Sequence, residues 1–453
     1  MKIQGAAVGV AREVWETRTE GRFYRSYTEI ELSRLGAPLS MFMTHEGVEA
    51  ADGKPVWFRS EVKASEIGSS IYGEVKNDTV YLKSEGLGYS EESRIPWEEG
   101  ALGMGSVDWE IRKRLMAGED EFSLRVFYTE TKEFQSLRIV RTGTVEDTVA
   151  GVAGEYLQVE QYMGDTDVAT LVSLLDEDFL PVKTITHQLA MVIIIERIPN
   201  ETATDVELES GFDLIKASRI PVPGYPESPE RVQDITLRLS FKNPRAVYEA
   251  LDAPNQKVVS REGNTVDLLL SRGTVTKTSL SNEELEVFLA PDSYIQSNDP
   301  AVHSIARKIA NDSGKEGWPL ATEIAAWVNA HIETKDLGRG FASALEVLES
   351  REGDCTEHSV LLASLLRAAG IPARVVSGLA YGGGYLFGHM WTEAYVGYWR
   401  TLDALDLKMD PIRIRISASK DAKALSLKDI ANDLAMAGGL TVEVVEYHLA
   451  EDK

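Results

Sequence analysis

Glu352-Gly353-Asp354-Cys355-Thr356-Glu357-His358 runs straight into a helical stretch with Leu361, Leu362, Leu365, Leu366 and Ala369 on its buried side. Gly370-Ile371-Pro372 ends that helix, because glycine supplies the terminating conformation and proline blocks continuation. Strands are predicted next at Ala373–Leu379, Met390–Val396 and Trp399–Leu402, the last two joined across a tight turn at Gly397-Tyr398. Upstream, Ala301–Ala310 and Leu320–Ile332 carry apolar residues at helical spacing, with Leu320, Ile324, Trp327, Val328 and Ile332 on one face. Helices first and an antiparallel sheet second predict an α+β domain beginning near residue 294.

Cys355 is the only cysteine in the chain, so intrachain disulfides and multi-thiolate zinc or iron–sulfur sites are excluded. Free cysteine is commonly a small buried hydrophobe, but the flanking Gly, Asp, Thr and Glu form no apolar stripe. At a helix N-terminus the unpaired N–H groups and the positive dipole end stabilise thiolate over thiol. The acidic neighbours oppose that effect, so a base is needed. His358 lies one turn along the same helix and points past the sulfur. His389, in Phe387-Gly388-His389-Met390-Trp391 after the Gly382-Gly383-Gly384 loop, sits where a strand can present it to the helix end. An acid at the end of the next strand would fix the imidazole tautomer. A strict two-residue turn pairs His389 with Asp406, whereas a bulge or a diagonal contact brings Asp403 into reach.

The run Gly353-Asp354-Cys355-Thr356-Glu357-His358 resembles the bacterial transglutaminase-like superfamily. So do Leu365-Leu366-Arg367-Ala368-Ala369-Gly370-Ile371-Pro372 and Gly388-His389-Met390-Trp391-Thr392-Glu393, ending at Trp399-Arg400-Thr401-Leu402-Asp403. The likeness spans about residues 296–410. It implies a papain-like core with Cys355 as nucleophile, His389 as base and Asp403 as orienting acid, ahead of Asp406. An oxyanion hole would use the Cys355 N–H and a second donor, for which Trp318, Trp327 and Asn329 are candidates. Trp391 is expected on the same side as His389, shielding the pair from water. Departures are Met390 in place of a small residue, and Ala404-Leu405 after the acid.

Residues 1–220 read as a β-rich N-terminal domain. Phe122–Tyr128 alternates apolar and polar residues, and Ser136–Arg141, Tyr156–Gln161 and Thr184–Arg197 are rich in β-branched and aromatic side chains. The last is expected to be one central strand covered on both faces, and a short helix is expected over Trp109–Met116. The proline-rich 221–229 stretch marks a boundary. A second β-rich segment or linker domain then covers 221–293, with strands at Asp234–Lys242 and Thr265–Leu270, before the transglutaminase-like domain at 294–453.

Across 453 residues, 72 acidic side chains outweigh 47 basic ones, a net charge of −25 that opposes nucleic acid and anionic membrane partners. The longest apolar run, Leu189–Ile195, is far shorter than the ~20 residues of a membrane-spanning helix. No signal peptide is read at the N-terminus. The β-rich region loosely resembles the extension of exported bacterial transglutaminase-like proteins, which implies the periplasm or cell surface; the residues themselves also fit the cytoplasm. A metal site from Cys355, His358 and His389 lacks the paired-ligand signature, and no cofactor is expected. The expected activity is acyl transfer on peptide or side-chain amides through a thioester, with hydrolysis preferred to amine transfer. The alternatives are a protein-glutamine transglutaminase and a catalytically silent scaffold.

Overall fold

In the computed structural model the described residues are 1–34, 36–64, 67–86, 89–164, 169–188, 191–200, 206–209, 211–241, 251, 253–271, 279–292, 294–334, 342–407, 413–418 and 440–450. They divide into two units, one of Met1–His187 with Met191–Asp213, the other essentially Leu214–Lys453. The β-rich N-terminal region and the α+β C-terminal region expected from sequence are both present.

The N-terminal unit contains a seven-stranded antiparallel meander running from Gly9–Arg18 to Tyr89–Pro96, each strand pairing with the next. Asn77 and Asp78 close one hairpin with φ of 48° and 53°, the left-handed geometry that suits the twist of the flanking strands. A second sheet of eight strands begins at Glu121–Tyr128 and returns through Met191–Glu196 to the chain start, Lys2–Ile3 and Ala6–Ala7. Along Glu121–Tyr128 the alternation works as predicted: Phe122, Leu124 and Val126 point inward. They join Ile111 and Leu115 of the Val107–Met116 helix in one core cluster, and Phe58, Val80, Trp97 and Phe127 form another.

Thr184–Arg197 departs from expectation. It forms two neighbouring strands, Pro181–Gln188 and Met191–Glu196, with residues 189 and 190 outside the described set. Its apolar length serves two strands because each takes a different partner: Leu171–Leu175 on one side and Lys2–Ile3 on the other. Burial on both faces does not follow either, since Ile193 and Ile194 are half-buried and Ile195 is exposed.

The C-terminal unit is organised around one helix, Cys355–Ala368, in which every residue from Thr356 to Arg367 is buried. Leu361, Leu362, Leu365 and Leu366 are fully buried, each worth about 1.5–3 kcal/mol of apolar transfer. Helices Pro300–Ser313, Gly317–His331 and Ala344–Ser350 pack on it, and so do the strands Ala373–Gly382 and Tyr385–Tyr395. The helix over Ala344–Ser350 was not expected; its capping box, Ser343 with Glu346, is the signature in the sequence that announces it. Trp399–Leu402 and Arg413–Ala418 extend the sheet on its two sides. A separate four-stranded sheet joins Val232–Ser240, Gln256–Glu262 and Thr265–Ser271 to Thr441–Leu449. Residues within 221–293 therefore share a sheet with the C-terminal strand.

Candidate active site

Cys355 is the first residue of its helix, and two features hold it there. Asp354 caps the helix by accepting the Thr356 N–H at 2.8 Å, and Glu357 reaches back to the Asp354 N–H at 2.9 Å, a complete capping box. Gly353 is required by space, since a Cβ there would lie 2.2 Å from the Cβ of Glu357. Glu357 also accepts the Ala342 N–H at 3.0 Å, so one buried carboxyl ties the preceding segment to the helix start. Burial, then repulsion from Asp354, pushes that carboxyl well above its ordinary range.

His389 lies on the Tyr385–Tyr395 strand, opposite Gly378. A Cβ on Gly378 would sit 2.0 Å from the Ile414 carbonyl oxygen and 2.8 Å from Trp391, so glycine admits both the neighbouring strand and the indole. Nε2 of His389 is 2.7 Å from Oδ2 of Asp403. That leaves Nδ1 as the ring nitrogen available to Cys355, whose interaction with His389 is among those that raise the imidazole. Burial alone would lower the imidazole, but hydrogen bonds to Asp403 and Cys355 and attraction to both raise it to about 10. Asp403 is 2 % exposed; burial would raise its carboxyl, yet His389 and Arg413 together bring it down to about 2.

The strand register explains how Asp403 gets there. The ladder pairs Thr392 with Leu402 and Tyr395 with Trp399, so the turn holds three residues, Val396 to Tyr398. Continuing that ladder puts Asp403 opposite Trp391 and one diagonal step from His389. Asp403 Oδ1 accepts the N–H groups of Leu405 at 2.9 Å and Asp406 at 3.2 Å, and Oδ2 accepts from Arg413 at 2.8 Å. Asp406, 48 % exposed, is tied to the same guanidinium at 2.9 Å. Arg413 is a residue that sequence reasoning missed; residues 408–412 separate it from the motif, and nothing in its local sequence marks it.

The remaining candidates occupy different places. Asn329 Nδ2 donates to the carbonyls of Ala404 at 2.6 Å and Leu405 at 3.4 Å, pinning the loop that follows Asp403. Trp327 stacks on His331 at 4.4 Å, and Trp318 lies beneath the Arg400 guanidinium at 3.7 Å. Trp391 is 1 % exposed and lies nearly parallel to the His389 ring, with centroids 6.1 Å apart. Its Nε1 has no hydrogen-bond partner among the described residues. His358 is buried with Nδ1 at 2.6 Å from the Asp354 carbonyl oxygen, a bond within its own helix turn.

Residues 303–404 match the model of the transglutaminase-like superfamily. No curated protein matches the chain significantly. Among solved structures, one described as a candidate cysteine protease from Cytophaga hutchinsonii is similar at 19% identity. The match covers 48% of this chain and 85% of that one, with a TM-score of 0.30. The periplasmic domain of TgpA from Pseudomonas aeruginosa is similar at 15% identity, over 41% of this chain and 86% of that one, with a TM-score of 0.31. A β-barrel-like protein from Brucella abortus is similar at 12% identity, over 44% and 92% respectively, with a TM-score of 0.30. The family match supports a cysteine-dependent enzyme in general terms. No described helix is long and apolar enough to cross a membrane.

Proposed function

We propose, from the transglutaminase-like domain at residues 303–404, that this protein is a cysteine-dependent acyl-transfer enzyme acting on peptide or side-chain amides. The observation that carries this reading is Cys355 at a helix N-terminus, interacting with a His389 imidazole whose Nε2 is held at 2.7 Å by Asp403.

In this reading Cys355 and His389 rest as thiolate and imidazolium. Sulfur attacks the amide carbonyl carbon, and the developing oxyanion takes the Cys355 backbone N–H. His389 Nδ1 gives its proton to the departing amine, leaving a thioester on Cys355. Asp403 holds Nε2–H throughout and fixes the ring orientation. An imidazole raised to about 10 suits the first step, which needs an acid. Thioester formation then removes the negative sulfur that helped raise it, so the imidazole stays neutral once its proton has left and is available to take one from water. Attack by that water breaks the C–S bond and releases a carboxylic acid.

Hydrolysis is the preferred outcome, because water is the default acceptor unless a site excludes it. Amine transfer shares every step up to the thioester. The test is to incubate the protein with a peptide amide substrate and a fluorescent primary amine, following both products by mass. Acid product, lost in Cys355→Ala, supports hydrolysis. Amide product makes the protein a transglutaminase. Neither product, with Cys355 unreactive to acyl donors, favours the silent scaffold.

A further inference from the structure

The N-terminal unit contains a cleft of about 240 Å³ whose charge runs against that of the chain. Arg22, Lys113, Arg114 and Arg125 line it against two carboxylates, Asp52 and Glu110, in a protein carrying −25 overall. Three of the four cations are already matched: Lys113 and Arg114 pair with Glu110, and Arg125 pairs with Glu98. Arg22 differs. Among the described residues no carboxylate lies within ion-pair distance of it; its Nη2 donates to Ser106 Oγ at 3.0 Å, and its guanidinium lies 4.2 Å from the Trp109 ring centre.

Glu49 faces Arg22 across the strand pair and would be its natural counter-charge. Its oxygens are used elsewhere, on the Gly105 N–H at 2.9 Å and the Ser106 hydroxyl. Burial pushes the Glu49 carboxyl up to about 7 against the pull of those two hydrogen bonds and of Arg22. Arg22 is thus a half-buried guanidinium held in place by Ser106, with no carboxylate in ion-pair contact among the described residues and an indole that is 45 % exposed alongside.

We propose that this cleft binds the carboxylate of a peptide, with Arg22 as its partner and Trp109 as the flat face for the adjoining residue. A guanidinium fork matches the plane and spacing of a carboxylate, and charge-assisted bonds of this kind are the strong ones. Asp52 and Glu110 on the same lining favour a monoanion over doubly charged phosphate. The volume is below the ~300–1,000 Å³ of sites for drug-sized ligands, which suits the end or side chain of a peptide better than a large cofactor. The cleft belongs to the N-terminal unit and Cys355 to the other, and the proposal does not depend on the reaction proposed above.

The test uses the full chain carrying Cys355→Ala, so that the probe survives. Calorimetric titrations compare acetyl-Ala-Phe with a free carboxylate, the same peptide as its C-terminal amide, acetyl-Glu-Phe-amide and inorganic phosphate. The free acid should bind and the C-terminal amide should not. The glutamyl probe distinguishes a side-chain carboxylate from a chain end. Arg22→Gln should weaken binding by at least about tenfold, and Trp109→Leu by about threefold. Lys113→Gln should reduce affinity mildly and flatten its salt dependence. Equal binding of acid and amide overturns the proposal, as does Arg22-dependent phosphate binding tighter than that of either carboxylate. If Arg22→Gln loses its near-ultraviolet circular dichroism, the other two variants decide: binding indifferent to both sinks the assignment.

Discussion

Arg413 Nη2 lies 2.8 Å from Asp403 Oδ2, the oxygen that also receives His389 Nε2 at 2.7 Å. The acid of the candidate site therefore serves two cations at one atom. Both Arg413 and Asp403 are nearly inaccessible, at 3 % and 2 % exposure. Removing one member of such a pair strands the other charge in a poorly solvated place. Arg413→Met should cost about 3–5 kcal/mol in urea unfolding of this unit. Asp406→Asn, at the exposed end of the same guanidinium, should cost under about 1 kcal/mol and leave Cys355 alkylation unchanged. Equal costs for the two would remove the distinction between Asp403 and Asp406.

The pH dependence has a definite sign. His389 is raised in the folded state from 6.5 to about 10, so its contribution to stability is complete below 6.5 and is lost as the pH climbs through about 10. Asp403 is lowered from 3.8 to about 2, so its contribution is complete above 3.8 and is lost as the pH falls through about 2. Both are fully present between 3.8 and 6.5. The His389 ring protons, followed by NMR, should show no titration between about pH 5 and about pH 8, whereas an unperturbed histidine titrates near ~6.5. A midpoint near that ordinary value would contradict the charged pair.

Glu357 gives a stability prediction with the slope of His389 and opposite to that of Asp403. Its carboxyl accepts the N–H groups of Ala342 and Asp354, and Glu357→Ala would leave both buried donors without that partner. The loss should be about 2–3 kcal/mol near pH ~5. Because burial raises the folded carboxyl, the native protein gives up stability as the pH rises above 4.5. The deficit of Glu357→Ala should therefore shrink towards pH ~8, as denaturation midpoints would reveal. A deficit that grows with pH would mean the carboxyl is ionised in place.

Asn329 is predicted to position the acid, not to stabilise an oxyanion, because its amide is spent on the Ala404 and Leu405 carbonyls. Asn329→Ala should cost about 1 kcal/mol of stability and lower kcat more than it raises KM. Its effect on kcat should be largely absorbed in an Asp403→Asn background, as expected for residues acting through one another. Full additivity would separate Asn329 from Asp403.

Much of this site was legible because its determinants are local. Cys355 could be placed at a helix start from the leucine spacing that follows it; the capping box of Asp354 and Glu357, read in the sequence only as acidic neighbours, is what the structure adds. His389 could be placed at the mouth of a strand from the Gly-rich loop before it, although the expected strand began at Met390 and the observed one begins at Tyr385. Asp403 was harder, because one residue of turn length shifts every cross-strand pairing; the three-residue turn and a diagonal contact decide it. Arg413 and the Asn329 contact were not legible, since both reach Asp403 or its loop across long stretches of chain. The apolar run 184–197 misled for a related reason. Length and hydrophobicity describe one buried strand or two half-buried ones equally well until the partners are known.

Activation of Cys355 by His389 is tested most directly by alkylation with iodoacetamide, read by intact mass. The chain has one cysteine, so the readout has one site. With that activation, alkylation should be fast at about pH 6, where an ordinary thiol of pKa ~8.5 is almost wholly protonated. The rate should be lost in His389→Ala and partly lost in Asp403→Asn. Slow alkylation at about pH 6, rising only through the ordinary thiol range and indifferent to His389→Ala, would contradict it.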